Sequence, residues 1–75
     1  MTDLVKYISI DREIRFGKPC IVGTRIAIGD ILSWLASGMP EEEILADFPS
    51  LRSEHIRAAL AFAANREAFL KMIAA

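Results

Sequence analysis

The chain has 75 residues, with nine Lys and Arg against ten Asp and Glu, one histidine and a formal net charge of -1 at pH 7. That length predicts a single domain over residues 1–75, small enough to leave roughly two fifths of its unfolded surface exposed. The charge and a pI near 5.7 exclude a strongly basic nucleic-acid binder, while one cysteine, Cys20, and one histidine, His55, exclude an internal disulfide and a zinc site.

Hydrophobic residues make up 53% of the chain and the mean hydropathy is +0.33, a rich apolar load for so little interior. Some of it is expected to face a partner, either a second copy or another protein. Uncharged runs fall far short of a membrane span and the first seven residues carry no signal-peptide pattern, so a cytoplasmic protein is expected. Charge is unevenly spread. Lys6, Arg12, Arg15, Lys18 and Arg25 against Asp3, Asp11 and Glu13 give +2, whereas residues 30–50 hold Asp30, Glu41, Glu42, Glu43 and Asp47 with no base.

Tyr7, Ile8, Ser9 and Ile10 alternate and favour a short strand. Residues 17–28 bracket β-branched runs with Gly17, Pro19 and Gly23, where glycine permits positive φ and proline fixes a turn. Arg25 to Ile28 alternates again and is expected to pair with residues 7–10, giving a β-ribbon and turn segment over about 7–28. A phosphate-loop reading of these glycines fails, because Lys18 follows the first glycine and no helix starts directly after Gly23.

Gly29 or Asp30 opens a helix whose carboxylate suits free amide groups, with Ile31, Leu32, Trp34 and Leu35 buried and Gly38 as its left-handed cap. Pro40 and the Glu41-Glu42-Glu43 run start the next helix, where the dipole favours acid. Pro49 disfavours helical geometry at Phe48 and ends it, and Ser53 is placed to cap a third helix from about 53 to 73, about 30 Å long. Ile56, Ala59, Leu60, Ala63 and Leu70 form its core stripe; Phe62, Phe69 and Ile73 form another, either covered by the ribbon or available to a partner. The expected fold is mainly α: a three-helix helix-turn-helix unit, homeodomain-like or winged, over about 30–74 and preceded by the ribbon.

No catalytic set emerges: His55 lacks a nucleophile and an orienting carboxylate, so no enzyme and no cofactor are expected. In a helix-turn-helix domain the start of the last helix and the turn before it meet DNA, here Ser50, Arg52, Ser53, His55 and Arg57, with Lys18 and Arg25 as further basic contacts. Phe62, Arg66, Phe69, Lys71, Met72 and Ile73 are the candidate dimer or partner surface.

Taken together, G-K-P-C-I-V-G-T-R-I at 17–26, I-L-S-W-L-A-S-G at 31–38, E-E-I-L-A-D-F-P at 42–49 and I-R-A-A-L at 56–60 resemble a widespread prokaryotic family of small proteins. It has long been catalogued as a domain of unknown function, and its members look like VapB-type antitoxins. The resemblance spans about residues 8–64. It implies a β-containing segment on a helix-turn-helix domain and pairing with a PIN-like ribonuclease toxin, which the antitoxin binds and neutralises while repressing its own operon as a homodimer. Arg66 and Lys71 are candidates to meet the acidic metal site expected of such a toxin. The rival expectations are a protein-interaction adaptor that never touches DNA, and a stand-alone regulator.

Overall fold

A computed structural model describes residues 2–74. After a 3-10 helix over Thr2–Tyr7, the chain forms strand β1 (Ile8–Ser9), strand β2 (Cys20–Ile21) and helices α1 (Ile28–Ala36), α2 (Glu41–Asp47), α3 (Ser53–Ala64) and α4 (Arg66–Ala74). The described architecture is thus mainly helical, with one small two-stranded sheet.

The ribbon pairs differently from the alternation-based expectation. β1 runs antiparallel to β2, with Ile8 opposite Ile21 and Ser9 opposite Cys20. Arg25 to Ile28 does not pair with residues 7–10; Ala27 instead bridges to Cys20, on the far side of β2. The cause is the tight turn after Ile21. Gly23 has φ +79°, the Thr24 amide donates to the Ile21 carbonyl at 3.0 Å, and the Thr24 hydroxyl donates to that carbonyl while accepting from the Ile26 amide. So short a turn returns the chain onto β2 itself, and the Ile21 amide donates to Ile26 at 2.9 Å. The G-T-R-I motif is, at this level, a folding device.

α1 ends at Gly38, φ +95°, whose amide donates to the Leu35 carbonyl at 3.0 Å, the left-handed cap expected of glycine there. α2 stops before Pro49, leaving Phe48 outside the helix with its ring stacked on Trp34 of α1 at 4.3 Å between centroids. Ser53 does not cap α3. It is the first helical residue, and its hydroxyl donates to Glu41 Oε2 at 3.1 Å. The cap is His55, whose Nδ1 accepts the Arg52 amide at 2.9 Å.

The third helix is two helices. Asn65, a weak interior helix former, takes φ -134° and ψ 44° between α3 and α4. The core stripe also sits elsewhere: Ala58 is buried and Leu60 is 50% exposed, while Phe62 and Phe69 are 5% and 0% exposed and meet edge to face at 5.9 Å. The N-terminal 3-10 helix packs on α3 and α4, supplying the cover that the periodicity of α3 alone leaves open. One cluster of buried residues joins Ile8 and Ile21 of the ribbon to Ile31, Ile44, Ile56, Phe62 and Phe69 of the four helices.

Candidate functional site

Three features of the surface bear on function. The first is the junction of α2 and α3. Ser50, Arg52 and Arg57 are exposed there, and Ser53 and His55 are half-buried. His55 is held by two partners, the Arg52 amide on Nδ1 and the Tyr7 ring edge-on at 5.2 Å. Burial pushes its pKa below the ordinary histidine value, because the charged imidazolium loses solvent. Its ring therefore serves the helix start. Glu41 reaches the same junction through Ser53, placing a carboxylate beside the arginines.

The second feature is a loop that sequence periodicity does not reveal. Arg15 and Phe16 have φ of 52° and 59°, followed by Gly17 at 84°, three successive residues in the left-handed region. For a side chain such as Phe16 that region costs about 1–2 kcal/mol, so the surroundings must hold it. The Arg15 guanidinium does so, donating to the Arg25 carbonyl and to Asp30 Oδ2, each at 2.8 Å. Asp30 in turn accepts the Ala27 amide at 3.0 Å and closes the first turn of α1. The Arg15 hydrogen bond holds the Asp30 carboxyl below the usual aspartate range. Phe16 itself touches almost nothing and is 98% exposed.

The third feature is a cleft of about 410 Å³ at the start of α1, with Pro19, Ala27, Ile28, Leu32 and Phe62 as apolar lining and Lys18, Asp30, Ser33 and Arg66 as polar lining. It brings Lys18 together with Arg66, two residues that the sequence assigns to different surfaces. Lys18 thus shares a cleft with Phe62 near the end of α3. Arg25 is exposed on the loop next to the Arg15–Asp30 pair.

The expected partner surface on the last helix is revised in the same way. Phe69 is wholly interior and Phe62, 5% exposed, lines the cleft wall, because the break at Asn65 and the N-terminal 3-10 helix enclose them. Arg66, Lys71 and Met72 are exposed and Ile73 is half-buried against the core. Cys20 is buried at the centre of the ribbon, and burial raises its thiol pKa. Among the described residues no group of three or more His, Cys, Asp or Glu side chains is placed to hold a metal ion, and no helix is long and apolar enough to cross a membrane.

These features define a small helical domain with a ribbon-borne, strained loop and a half-apolar cleft. The family model for "Protein of unknown function (DUF433)" matches residues 8–63, and the chain belongs to that family. Among solved structures it is similar to a DUF433 member protein from Anabaena variabilis ATCC 29413, at 29% identity over 99% of this chain and 74% of that one, with a TM-score of 0.75. No curated protein matches it.

Proposed function

We propose that the protein is a non-enzymatic, antitoxin-like regulator: a dimer that binds operator DNA with the helix-turn-helix formed by α2 and α3, and neutralises a PIN-like ribonuclease toxin by direct binding. The observation that carries the DNA half is the exposure of Ser50, Arg52 and Arg57 around the start of α3. The short connection after α2 and the orientation of these side chains toward solvent suit phosphate contacts and groove entry. The toxin half rests on the family resemblance, and the exposed Arg66, Lys71 and Met72 are the surface left to it once Phe69 is interior. The cytoplasm is the compartment this reading requires.

The test is fluorescence anisotropy of DNA from upstream of the gene at several salt concentrations, beside pull-down and mass determination with the product of the adjacent gene. Specific binding that weakens with salt, with a slope reduced by about one on changing Arg52 or Arg57 to Ala, is the expected result. Salt-insensitive or absent binding overturns the DNA half, and failure to form a stoichiometric complex overturns the toxin half.

A second reading, an adaptor that binds protein and not DNA, is favoured by one observation. Glu41 contacts Ser53 at the start of α3, with Glu42 and Glu43 exposed beside it, and carboxylates there oppose phosphate. Glu41→Gln distinguishes the two, since it strengthens DNA binding only if that junction meets phosphate.

A further inference from the structure

The charges lining the cleft at the start of α1 are not balanced within the chain. Four segments wall it: Lys18 and Pro19 ahead of β2, the first turns of α1, Phe62 of α3 and Arg66 at the start of α4. Its carboxylate is already engaged, since Asp30 accepts from the Arg15 guanidinium and the Ala27 amide at 2.8 and 3.0 Å. Its cations are not. Among the described residues the side chains of Lys18 and Arg66 make no hydrogen bond or ion pair. Beyond the Arg15 hydrogen bond and the Ala27 amide, the Lys18 charge also lowers the Asp30 pKa, which puts the ammonium within electrostatic reach of the head of α1. Arg66 occupies the first turn of α4, where the helix dipole disfavours a cation.

We propose that the cleft binds a small monocarboxylate with an apolar, ring-sized body, of the aryl carboxylate class. Arg66 and Lys18 hold the carboxylate, and the body lies on the apolar wall. The guanidinium fork matches the two carboxylate oxygens, Lys18 adds a point charge, and the exposed Ser33 hydroxyl in the lining can donate as well. Pro19 and Leu32 are half-buried and leave apolar surface for the body to cover. The volume of about 410 Å³ lies at the small end of the roughly 300–1,000 Å³ of ligand cavities, so the occupant is a small molecule. Asp30 in the wall opposes a denser charge, and inorganic phosphate would leave the apolar wall uncovered. A singly charged group with an apolar body satisfies both parts of the lining. The inference stands on the cleft alone and is independent of the antitoxin reading.

The test is titration of the 15N-labelled full chain with 2-naphthoate, 2-naphthamide and inorganic phosphate, followed by amide chemical shifts, for wild type, Lys18→Ala, Arg66→Ala and Gly29→Leu. Lys18 and Arg66 are exposed, and a side chain added at Gly29 meets no atom within 4 Å, so leucine fills the cleft without disturbing its own chain. Far-UV circular dichroism checks that each variant keeps the fold. The expected result is saturable naphthoate shifts at Lys18, Gly29 and Ser33, with binding at least tenfold tighter than that of naphthamide or phosphate. Either alanine variant weakens it at least fivefold, and Gly29→Leu abolishes it. Naphthamide binding as tightly as naphthoate overturns the role of the two cations, and phosphate binding as tightly overturns the apolar body. Absence of naphthoate shifts in the wild type, or shifts unchanged in all three variants, overturns the site itself.

Discussion

The carboxylate of Asp30 accepts two hydrogen bonds in one place, from the Arg15 guanidinium at 2.8 Å and from the Ala27 amide at 3.0 Å. Through it the ribbon's strained loop is fastened to the first turn of α1. The pair is part-exposed, so the charge attraction alone adds little; the capping bond adds more.

Replacing Asp30 by Asn should cost about 1 kcal/mol, mainly through the weakened cap. The carboxyl's pKa is depressed in the folded state, so its contribution is present above the unfolded value of about 3.9 and is lost as pH falls through the folded value. Urea unfolding of wild type and D30N should therefore show a constant gap above pH 4 that narrows below it. A gap that widens in acid contradicts the assignment.

His55 caps α3 as the neutral imidazole, with Nδ1 accepting. Its depressed pKa means that the folded state disfavours protonation. Stability should thus be full above about pH 6.5 and fall as pH drops through the folded value. H55Q should remove that component and, with the cap gone or weakened, cost on the order of 1 kcal/mol at neutral pH. Unfolding between pH 5 and 7.5 measures both effects.

Phe69 and Met72 lie on the same helix with opposite burial, 0% against 42% exposed. Phe69→Ala should destabilise by about 3–5 kcal/mol, much of the margin of so small a domain. Met72→Ala should stay within about 0.5 kcal/mol in the isolated chain. Equal effects by chemical denaturation would return Phe69 to the surface that the sequence periodicity allows.

Two glycines should respond with opposite sign. Gly38 has φ +95°, so alanine there is strained and should cost about 1 kcal/mol. Gly29 lies in α1 with a helical backbone and open space at the Cβ position, so alanine should stabilise by about 0.5 kcal/mol. For a domain of this size the two changes should move Tm by several degrees in opposite directions.

Local chemistry made much of the chain legible. Gly38 and Pro49 end α1 and α2 where the sequence places those stops, since a left-handed cap and a pre-proline restriction act over one or two residues. Asp30 sits in the first turn of α1 because free amides and the helix dipole are local too. Gly23 announces its turn for the same reason. The mainly helical class follows from these signals with the apolar spacing of α1 and α2.

Only the tertiary structure decided the rest, mostly through contacts between residues far apart in sequence. Which strand β2 pairs with depends on how tightly the Gly23–Thr24 turn closes, and alternation in Arg25 to Ile28 is silent on that. The N-terminal 3-10 helix reaches across α3 and α4 and converts Phe62 and Phe69 from a free stripe into core. His55 looks like a surface group until Tyr7 arrives from the other end of the chain. Phe16 and the cleft are furthest from the sequence's reach: a left-handed phenylalanine carries no periodicity, and the cleft exists only where the Lys18–Pro19 segment, α1 and Phe62 come together.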